Sequence, residues 1–402
     1  MCMPPITRRS FAVAALAAPS AFGASQRLRA GIIGCGIRGL GSHIHELLKM
    51  AETENVRITA VCDVFDKRAQ AAAARTGAKP YRDYRRLLED KDIDFVVIAT
   101  PDHLHASITI DAARAGKHVY CEKPMTHTVE EAQRVVATVR ETGVKMQVGV
   151  QGMSDDSYET ANRYYREGAL GKVVLAQIDY SRNYDGDFWL KVIDHDARPG
   201  VDLDWDLFLG PAARRPYVPD RFFNWIRYWD YSGGVPAGLL VHRVTRIIRS
   251  LDLTIPAYGS AHGGKFQFST STAEIPETIN IALDYPGGPT VLLISSMAND
   301  TPVPHLLRGH KATLEFTDTG FLIRPQKLYG DPANPIVHHK TGGEDTALHL
   351  KNFLAAIRSN VPLKCDATLG YYGVAACQFG ILSYRQRKYM KWDADRDQIV
   401  PA

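Results

Sequence analysis

The chain has little cysteine and no long apolar run, and neither sign of charge dominates it. Its 402 residues include six cysteines, and no two of them have a Cys-x-x-Cys spacing. This scarcity excludes a disulfide-dense scaffold and argues against a zinc cluster. Without a run of about 18 apolar residues, we expect no transmembrane helix and no stable membrane anchor. The net charge of +4, from 48 basic and 44 acidic residues, is too small to indicate a nucleic-acid partner.

What is present is an ordinary globular composition, 45% hydrophobic and 23% charged, with a distinctive N-terminus. Arg8 and Arg9 precede an alanine-rich apolar stretch at 12–18, and small residues continue to Ala24. Paired arginines, a mild apolar stretch and small residues, in that order, are typical of a twin-arginine export signal. A basic, disordered tail is the alternative. We interpret residues 1–24 as a signal peptide and expect a periplasmic or otherwise exported protein.

Residues 27–150 alternate between strand and helix patterns. Short apolar runs of the kind found in buried parallel strands lie at Leu28–Ile33, Val56–Cys62, 94–99, 118–121 and 145–148. Helix patterns lie between them, at 40–48, 69–75, 105–115 and 129–141. This βαβ rhythm predicts an α/β protein whose N-terminal Rossmann domain contains a doubly wound parallel sheet.

After Gly152 the pattern changes. A helix pattern at 158–167 is followed by alternating, strand-like runs at Val173–Asp179, 279–283, 291–295 and 312–316. Two further helix patterns lie at Thr346–Ser359 and 370–387. Residues 151–402 are therefore predicted to form a C-terminal α/β domain with a large open, mostly antiparallel sheet. Its last helices are expected to pack within this domain or back on the Rossmann domain.

The strongest chemical motif, Gly-x-Gly-x-x-Gly, follows the first predicted strand and opens the first predicted helix. Glycines at these positions let the backbone approach a pyrophosphate, and the helix N-terminus offers free N–H groups to it. The predicted cofactor-binding residues of the motif are Gly34, Gly36, Ile37, Arg38 and Gly39. Asp63 ends the second strand, where a carboxylate binds the adenosine ribose hydroxyls and repels a 2′-phosphate. The motif therefore predicts NAD as the cofactor, with NADP less favoured, and a glycine turn without a ligand is the alternative.

A second polar group, formed by Glu122, Lys123 and Pro124, follows the predicted strand at 118–121. Ligands of doubly wound sheets bind at the carboxyl ends of the strands, which places Lys123 near the cofactor. A lysine there can donate a hydrogen bond to a substrate hydroxyl or carbonyl oxygen. On spacing alone, a solvated surface lysine is the commoner explanation for this residue.

Several longer motifs carry a resemblance to a known family. They are GCGIRG at 34–39, ATPDHLH at 99–105, GKHVYCEKP at 116–124, GALGK at 168–172, WDLFLGP at 205–211 and YWDYSGG at 228–234. Over nearly all of the chain beyond residue 24, the sequence resembles the Gfo/Idh/MocA family of oxidoreductases. The resemblance implies a Rossmann domain, an α/β domain with a large open sheet, NAD(P) binding and sugar or cyclitol substrates. It also implies homo-oligomers, dimers or tetramers, built on the open sheet.

The resemblance implies roles for particular residues as well. Those expected at the cofactor from the two central motifs are Thr100, Pro101, His105, Glu122 and Lys123. In this family the EKP lysine works with a later Asp-x-x-x-His motif, which implies catalytic roles for Lys123 and His242. Gly238 stands at the aspartate position, so the expected carboxylate is missing. Without the resemblance, His242 would be interpreted as a satisfied histidine on a half-buried helix.

Other residues are candidates for the role of the missing carboxylate, and no spacing selects one of them: Asp194, His195, Asp230 and Tyr184. The segment 180–231 is rich in aromatic residues, whose faces can pack on the C–H faces of a sugar. The predicted substrate-binding residues are Tyr184, Asp194, Trp225 and Tyr231. The alternative is a long arm that packs on the sheet or on a neighbouring subunit.

His103 and His105 stand two residues apart, a spacing that can resemble a pair of metal ligands. Because they directly follow a predicted parallel strand, we interpret them as a second layer of the nicotinamide pocket, and we predict no metal site.

These features predict hydride transfer from a secondary alcohol of a carbohydrate to NAD. His242 would take the hydroxyl proton while Lys123 polarises the oxygen. Because an exported protein meets little free NAD, we expect the cofactor to stay bound and to be regenerated in each cycle. A redox-neutral enzyme that cleaves a glycoside or epimerises a sugar is the first alternative. A non-catalytic binder of NAD and sugar is the second.

Overall fold

The structure is a computed structural model that describes residues 26–402. The predicted signal peptide at 1–24 lies outside the described residues. Two sheets organise the described chain: a six-stranded parallel sheet in the N-terminal third, and a ten-stranded, largely antiparallel sheet in the remainder. The predicted α/β fold class is confirmed.

The first sheet has the strand order β3-β2-β1-β4-β5-β6, and all its pairs are parallel. Its strands are β1 Leu28–Ile33, β2 Val56–Cys62, β3 Lys79–Tyr81, β4 Phe95–Ile98, β5 His118–Glu122 and β6 Met146–Gly149. Its helices are α1 His45–Lys49, which continues a π-helical turn at Gly39–Ile44, α2 Asp66–Thr76, α3 Tyr84–Leu88, α4 Asp102–Arg114 and α5 Val129–Thr142. This strand order is that of dinucleotide-binding sheets, in which the ligand crosses the carboxyl ends of the central strands.

Local chemistry explains where these elements begin and where the sequence prediction fell short. The helix α4 starts at Asp102, three positions before the predicted start, because Pro101 with its fixed φ precedes the first turn. The capping box of Thr128 and Glu131 starts α5 at the predicted place. The strand β3 was not predicted, since it has three residues at an edge and no fully buried position.

The second sheet has the order β14-β13-β12-β11-β7-β10-β9-β8-β15-β16. Among the described strand pairs of this sheet, only β7 with β10 is parallel. Its strands are β7 Val173–Asp179, β8 Tyr258–Gly264, β9 Thr278–Asp284, β10 Thr290–Ser296, β11 His305–Gly309, β12 Ala312–Thr317, β13 Gly320–Pro325, β14 Ile336–His339, β15 Met390–Asp393 and β16 Gln398–Pro401. The helices of this part are α6 Ser157–Arg166, α7 Trp205–Leu209, α8 Pro219–Phe223, α9 Val241–Leu251, α10 Thr346–Ser359 and α11 Ala367–Gln386. The predicted large, mostly antiparallel sheet is confirmed.

One face of this sheet carries the core. The helix α11 packs on β8 and β9, and α9 packs on β7. In β10, Val291 and Leu293 are fully buried under these helices, whereas Leu292 and Ile294 on the opposite face are half-exposed. Within the described chain no helix covers that opposite face. None of the described helices is long and apolar enough to span a bilayer.

Two parts of the later chain pack on the Rossmann domain. The helix α10 buries Leu350, Phe353 and Leu354 against the first sheet, with the Phe353 ring 5.6 Å from that of Phe95. The segment 180–231, which we call the arm, contains α7 and α8 and forms its own apolar cluster around Phe65 of the Rossmann domain. Both contacts bring residues from distant parts of the sequence against the Rossmann domain.

Candidate active site

The glycine turn after β1 has a shape that only glycine permits at two positions. Gly34 has φ +92°, and a Cβ atom there would lie 2.6 Å from the backbone of Ala99. A Cβ on Gly39 would lie 1.9 Å from the carbonyl oxygen of Gly34. At Gly36 the nearest atom is the end of Arg68 at 3.9 Å, and Ile37 is 74% exposed. Backbone atoms therefore pack tightly against the inner side of the turn, at Gly34 and Gly39. The outer side, at Gly36 and Ile37, leaves space at the helix N-terminus where a pyrophosphate would bind.

Asp63 supports this turn from the end of β2. Its carboxylate oxygens accept hydrogen bonds from the backbone N–H groups of Cys35, at 2.8 Å, and Phe65, at 3.0 Å. Burial raises the pKa of Asp63, and the nearby charge of Arg68 and the two backbone hydrogen bonds limit the rise. Each oxygen keeps a lone pair, so the carboxylate can still accept from ribose hydroxyls.

Glu122 joins the glycine turn to the end of β5. Its Oε1 accepts from Arg38 Nε at 2.7 Å and contacts His43 Nε2 at 2.8 Å. Burial alone would raise the pKa of Glu122, but the charge of Arg38 and the hydrogen bond to His43 outweigh it and hold that pKa well below its usual value. Arg38 is therefore bound to Glu122 beside the predicted cofactor site. Its guanidinium also donates a hydrogen bond to the hydroxyl of Thr346 at the start of α10.

Lys123 follows Glu122 and precedes Pro124 in a cis peptide bond. Its Nζ donates a hydrogen bond of 2.9 Å to the carbonyl oxygen of Gly238. Gly238 lies in the π-helical turn Pro236–Leu240 that leads directly into α9, the helix that carries His242. The structure thus brings the two predicted catalytic residues to one place, at the carboxyl end of β5.

His242 is 5% exposed, and its Nδ1 has no hydrogen-bond partner among the described residues. Burial lowers the pKa of His242 well below its ordinary value, and the charges of Lys123 and Arg246 lower it further. The imidazole is therefore neutral at pH 7. A neutral imidazole can accept a proton, as a general base requires.

Several residues beside His242 were not predicted from the sequence. The ring of Tyr180, at the end of β7, lies 6.1 Å from that of His242 and 4.2 Å from the guanidinium of Arg243. Arg246 donates to Tyr158 at 3.0 Å and to Glu344 at 2.5 Å. The spacing of Arg243 and Arg246 on the same helix as His242 could have identified the arginines. Glu344 has no sequence pattern that links it to the site.

The ATPDHLH motif forms the wall between β4 and the cis peptide. His105 contacts two carbonyl oxygens, that of Pro124 through Nδ1 at 2.7 Å and that of Thr100 through Nε2 at 2.9 Å. His105 therefore supports the loop that holds Lys123. His103 instead contacts the carbonyl oxygen of Phe208 at 2.8 Å and attaches the arm, and burial lowers its pKa to about 3.

The arm holds the remaining candidates, and no contact given for the described residues joins their side chains directly to Lys123 or His242. Asp194 pairs with Lys67 at 2.6 Å, near the predicted adenosine end. Trp225 and Tyr231 belong to the apolar cluster of the arm, and Tyr184 contacts Arg182 at 3.5 Å. Asp230 pairs with Arg215 and Arg221, and His195 is exposed. The roles of these residues in substrate binding stay predictions.

The described residues fit a dinucleotide. The glycine turn offers an open backbone surface, and Asp63 stands at the end of the neighbouring strand. The hydroxyl of Thr100 is buried beside the turn without a partner in the described chain. These groups lie along one edge of the sheet, from the ribose position at β2 to Lys123 at β5.

Comparisons with known proteins agree with this arrangement. Residues 28–150 match the oxidoreductase family with an NAD-binding Rossmann fold, Gfo/Idh/MocA. The chain is 34% identical to inositol 2-dehydrogenase of Salmonella typhimurium over 161 residues, which cover 39% of this chain and 46% of that enzyme. It is 33% identical to levoglucosan dehydrogenase of Pseudarthrobacter phenanthrenivorans over 168 residues, which cover 40% of this chain and 43% of that enzyme. In both cases the matched segment spans less than half of the relative's length.

Solved structures share the fold along almost the whole chain. The WlbA dehydrogenase of Bordetella pertussis, in complex with NADH and UDP-GlcNAcA, has a TM-score of 0.69 at 19% identity, covering 92% of this chain and 100% of that one. The aldose-aldose oxidoreductase of Caulobacter crescentus has a TM-score of 0.67 at 20% identity, covering 91% and 100%. At such identities the likeness establishes the fold alone. Residues 28–150 of this chain are thus a Gfo/Idh/MocA-type NAD-binding domain.

Proposed function

We propose that this protein is an NAD-dependent oxidoreductase that acts on a secondary alcohol of a sugar, cyclitol or related carbohydrate. One observation carries the proposal: Lys123 and the helix of His242 meet at the carboxyl end of β5, on the edge that bears the glycine turn. Relatives that match the Rossmann domain include inositol and levoglucosan dehydrogenases, which supports a carbohydrate substrate for this chain.

Each catalytic residue has a distinct task in this proposal. The Lys123 ammonium donates a hydrogen bond to the substrate oxygen and stabilises the negative charge that develops there. His242, neutral at pH 7 because its pKa is lowered by burial, accepts the hydroxyl proton. NAD, when bound, supplies the acceptor for the hydride that leaves the same carbon.

We propose NAD rather than NADP, and we propose that it stays bound between turnovers. The carboxylate of Asp63 disfavours a 2′-phosphate. The arm is attached on the chain that directly follows Asp63, through Asp204 N–H to the Val64 carbonyl and Asp66 N–H to the Asp202 carbonyl, both at 2.8 Å. Arg68 lies 5.1 Å from the ring of Phe222 in α8. In this proposal the arm, attached beside Asp63, covers the adenosine end and slows release of the nucleotide.

Retention of the cofactor agrees with the export that the twin-arginine pattern predicts. In a compartment with little free NAD, a bound cofactor has to be regenerated within each cycle. We propose a second carbonyl substrate that takes the hydride back. Redox-neutral cleavage or epimerisation, in which the hydride returns to the same substrate, meets the same condition and is the second candidate function.

A direct experiment is to purify the native protein without added nucleotide, denature it and identify what is released by mass. Stoichiometric NAD or NADH is the expected result, and NADP in its place would contradict the cofactor assignment. An empty protein would contradict retention.

Catalysis is tested separately with Lys123→Ala, which should lose turnover by at least about 100-fold and keep its nucleotide. Lys391→Ala, which removes a lysine at an exposed position of β15, is the matched control. Full activity of Lys123→Ala would contradict our placement of the catalytic site.

A further inference from the structure

The carboxylate missing from the Asp-x-x-x-His motif has no room at its usual position. A Cβ atom on Gly238 would lie 2.8 Å from Cη2 of Trp189, closer than real Cβ contacts come. Trp189 is 5% exposed and belongs to the main apolar core, which holds its ring in place. The indole therefore fills the volume that an aspartate side chain needs, and any carboxylate that serves His242 has to come from elsewhere.

Glu344 reaches His242 from the segment that precedes α10. Its Oε1 lies 4.0 Å from His242 Nδ1, the buried nitrogen that has no hydrogen-bond partner in the described chain. Its Oε2 is held by Arg246 at 2.5 Å. The carboxylate is thus anchored through one oxygen and presents the other to the imidazole.

The segment that carries Glu344 is fixed on both sides. Before it, the backbone N–H groups of Thr341 and Gly342 donate to Asp156 Oδ1, at 2.8 and 3.2 Å. After it, Asp345 caps α10 by accepting from the N–H of Leu348 at 3.0 Å. These anchors are contacts within the chain, so the backbone position of Glu344 does not depend on a bound substrate.

We propose that Glu344 is the positioning residue of His242 and replaces the carboxylate that the motif lacks at Gly238. This inference rests on the proposed function, in which His242 is the base. A carboxylate beside Nδ1 accepts the Nδ1–H hydrogen bond, which fixes the neutral tautomer with its lone pair on Nε2. A small rotation of the Glu344 side chain closes the present separation by about 1 Å and forms that bond without a bound substrate.

The charges around His242 give the carboxylate of Glu344 a second effect, on the basicity of the imidazole. The cations that face it are Lys123 from the end of β5 and Arg243 and Arg246 from α9; the anions are Glu122 and Glu344. Burial would raise the pKa of Glu344, but Arg246 and Arg243 outweigh it and lower that pKa, so the carboxylate is ionised at neutral pH. Without the charge of Glu344, the three cations face Glu122 as the one remaining anion. We expect this change to lower the pKa of His242 and to make the imidazole a weaker base.

The test compares Glu344→Gln with Glu159→Gln, which also removes a carboxylate that pairs with an arginine of α9, here the more exposed Arg249. In protein labelled with 15N-histidine, NMR reports the tautomer of His242, and the resonance is assigned by its loss in His242→Gln. We expect a shift away from the Nδ1–H tautomer in Glu344→Gln and none in Glu159→Gln. Unchanged tautomer populations in Glu344→Gln would overturn the proposal, whether or not a substrate has been found.

Activity gives a second readout once a substrate is known. Glu344→Gln should lower kcat by at least about tenfold with little change in KM, and the acidic limb of the pH profile should move to lower pH. Glu344→Asp keeps the charge beside Arg246 but withdraws it from His242, so it serves if Glu344→Gln does not fold. Wild-type kcat and tautomer in Glu344→Asp would assign to Glu344 a structural role alone.

Discussion

Gly238 and Trp189 form a matched pair, because the indole of one lies where a side chain of the other would stand. Restoring the family residue with Gly238→Asp should therefore not restore a standard site. We expect overpacking to lower the free energy of unfolding by about 1–3 kcal/mol, with no gain in kcat. Thermal denaturation and turnover check this, with Gly186→Asp, where a Cβ meets nothing within 4 Å, as the control. A more active, equally stable Gly238→Asp would show that Trp189 moves aside and leaves room for a carboxylate at this position.

Among individual residues, the sequence predicted those that lie in recognisable motifs. It missed those that only tertiary packing brings to the site. Lys123 and His242 were identified by a motif, and the structure brings Lys123 onto the helix of His242. Glu344 could not be identified, because its approach depends on how α10 packs on the Rossmann domain. Trp225 and Tyr231 are of the aromatic types that line sugar sites. Aromatic rings also pack in apolar clusters, as these two do, because their faces are apolar.

The arm is the element whose packing has the most direct functional consequence. Phe222 of α8 is 1% exposed and contacts the rings of Phe65 and Phe208, with Arg68 against its face. We expect Phe222→Ala to loosen the arm and raise the dissociation rate of NAD, at a cost of about 3–5 kcal/mol in stability. Release of the bound nucleotide in its reduced form, NADH, followed by its fluorescence after dilution, measures this rate.

The control for the arm is Phe321→Ala, which removes an equally buried ring from β13 of the second sheet. It should cost similar stability and leave the dissociation rate unchanged. Equal rates for wild type and both variants would mean that the arm does not retain the cofactor, even if the protein carries one.

Elements were predictable where burial imposes a simple period. The strand β4 is apolar at every position because helices cover both faces of the first sheet, and β10 alternates because only one face is covered. The strands β14 and β16 escaped prediction, because they lie at sheet edges and bury none of their residues fully. Such edge strands form because they pair with a neighbouring strand, and no local sequence pattern marks them.

The whole molecule leaves one face of its ten-stranded sheet without a partner in the described chain. Leu292, Leu306 and Leu322 lie on that face in β10, β11 and β13, joined through the registers of β7 and β12. All three are half-exposed, although aliphatic side chains on a broad sheet are more stable when covered. A second copy of the chain can cover such a face over the roughly 800 Å² per partner that a stable interface needs.

We therefore propose a homo-oligomer, a dimer or tetramer, that closes on this face. Light scattering after size exclusion should give a native mass that is an even multiple of the protomer, which for the full chain is 44.5 kDa. Leu292→Arg should shift that mass towards the protomer, because it places a charge on the face that a partner would cover. Leu348→Arg, at an exposed leucine of α10 on the Rossmann side, should leave the mass unchanged. A wild-type protein with the mass of a single chain would mean that this face meets solvent, and that its leucines serve only the packing between neighbouring strands.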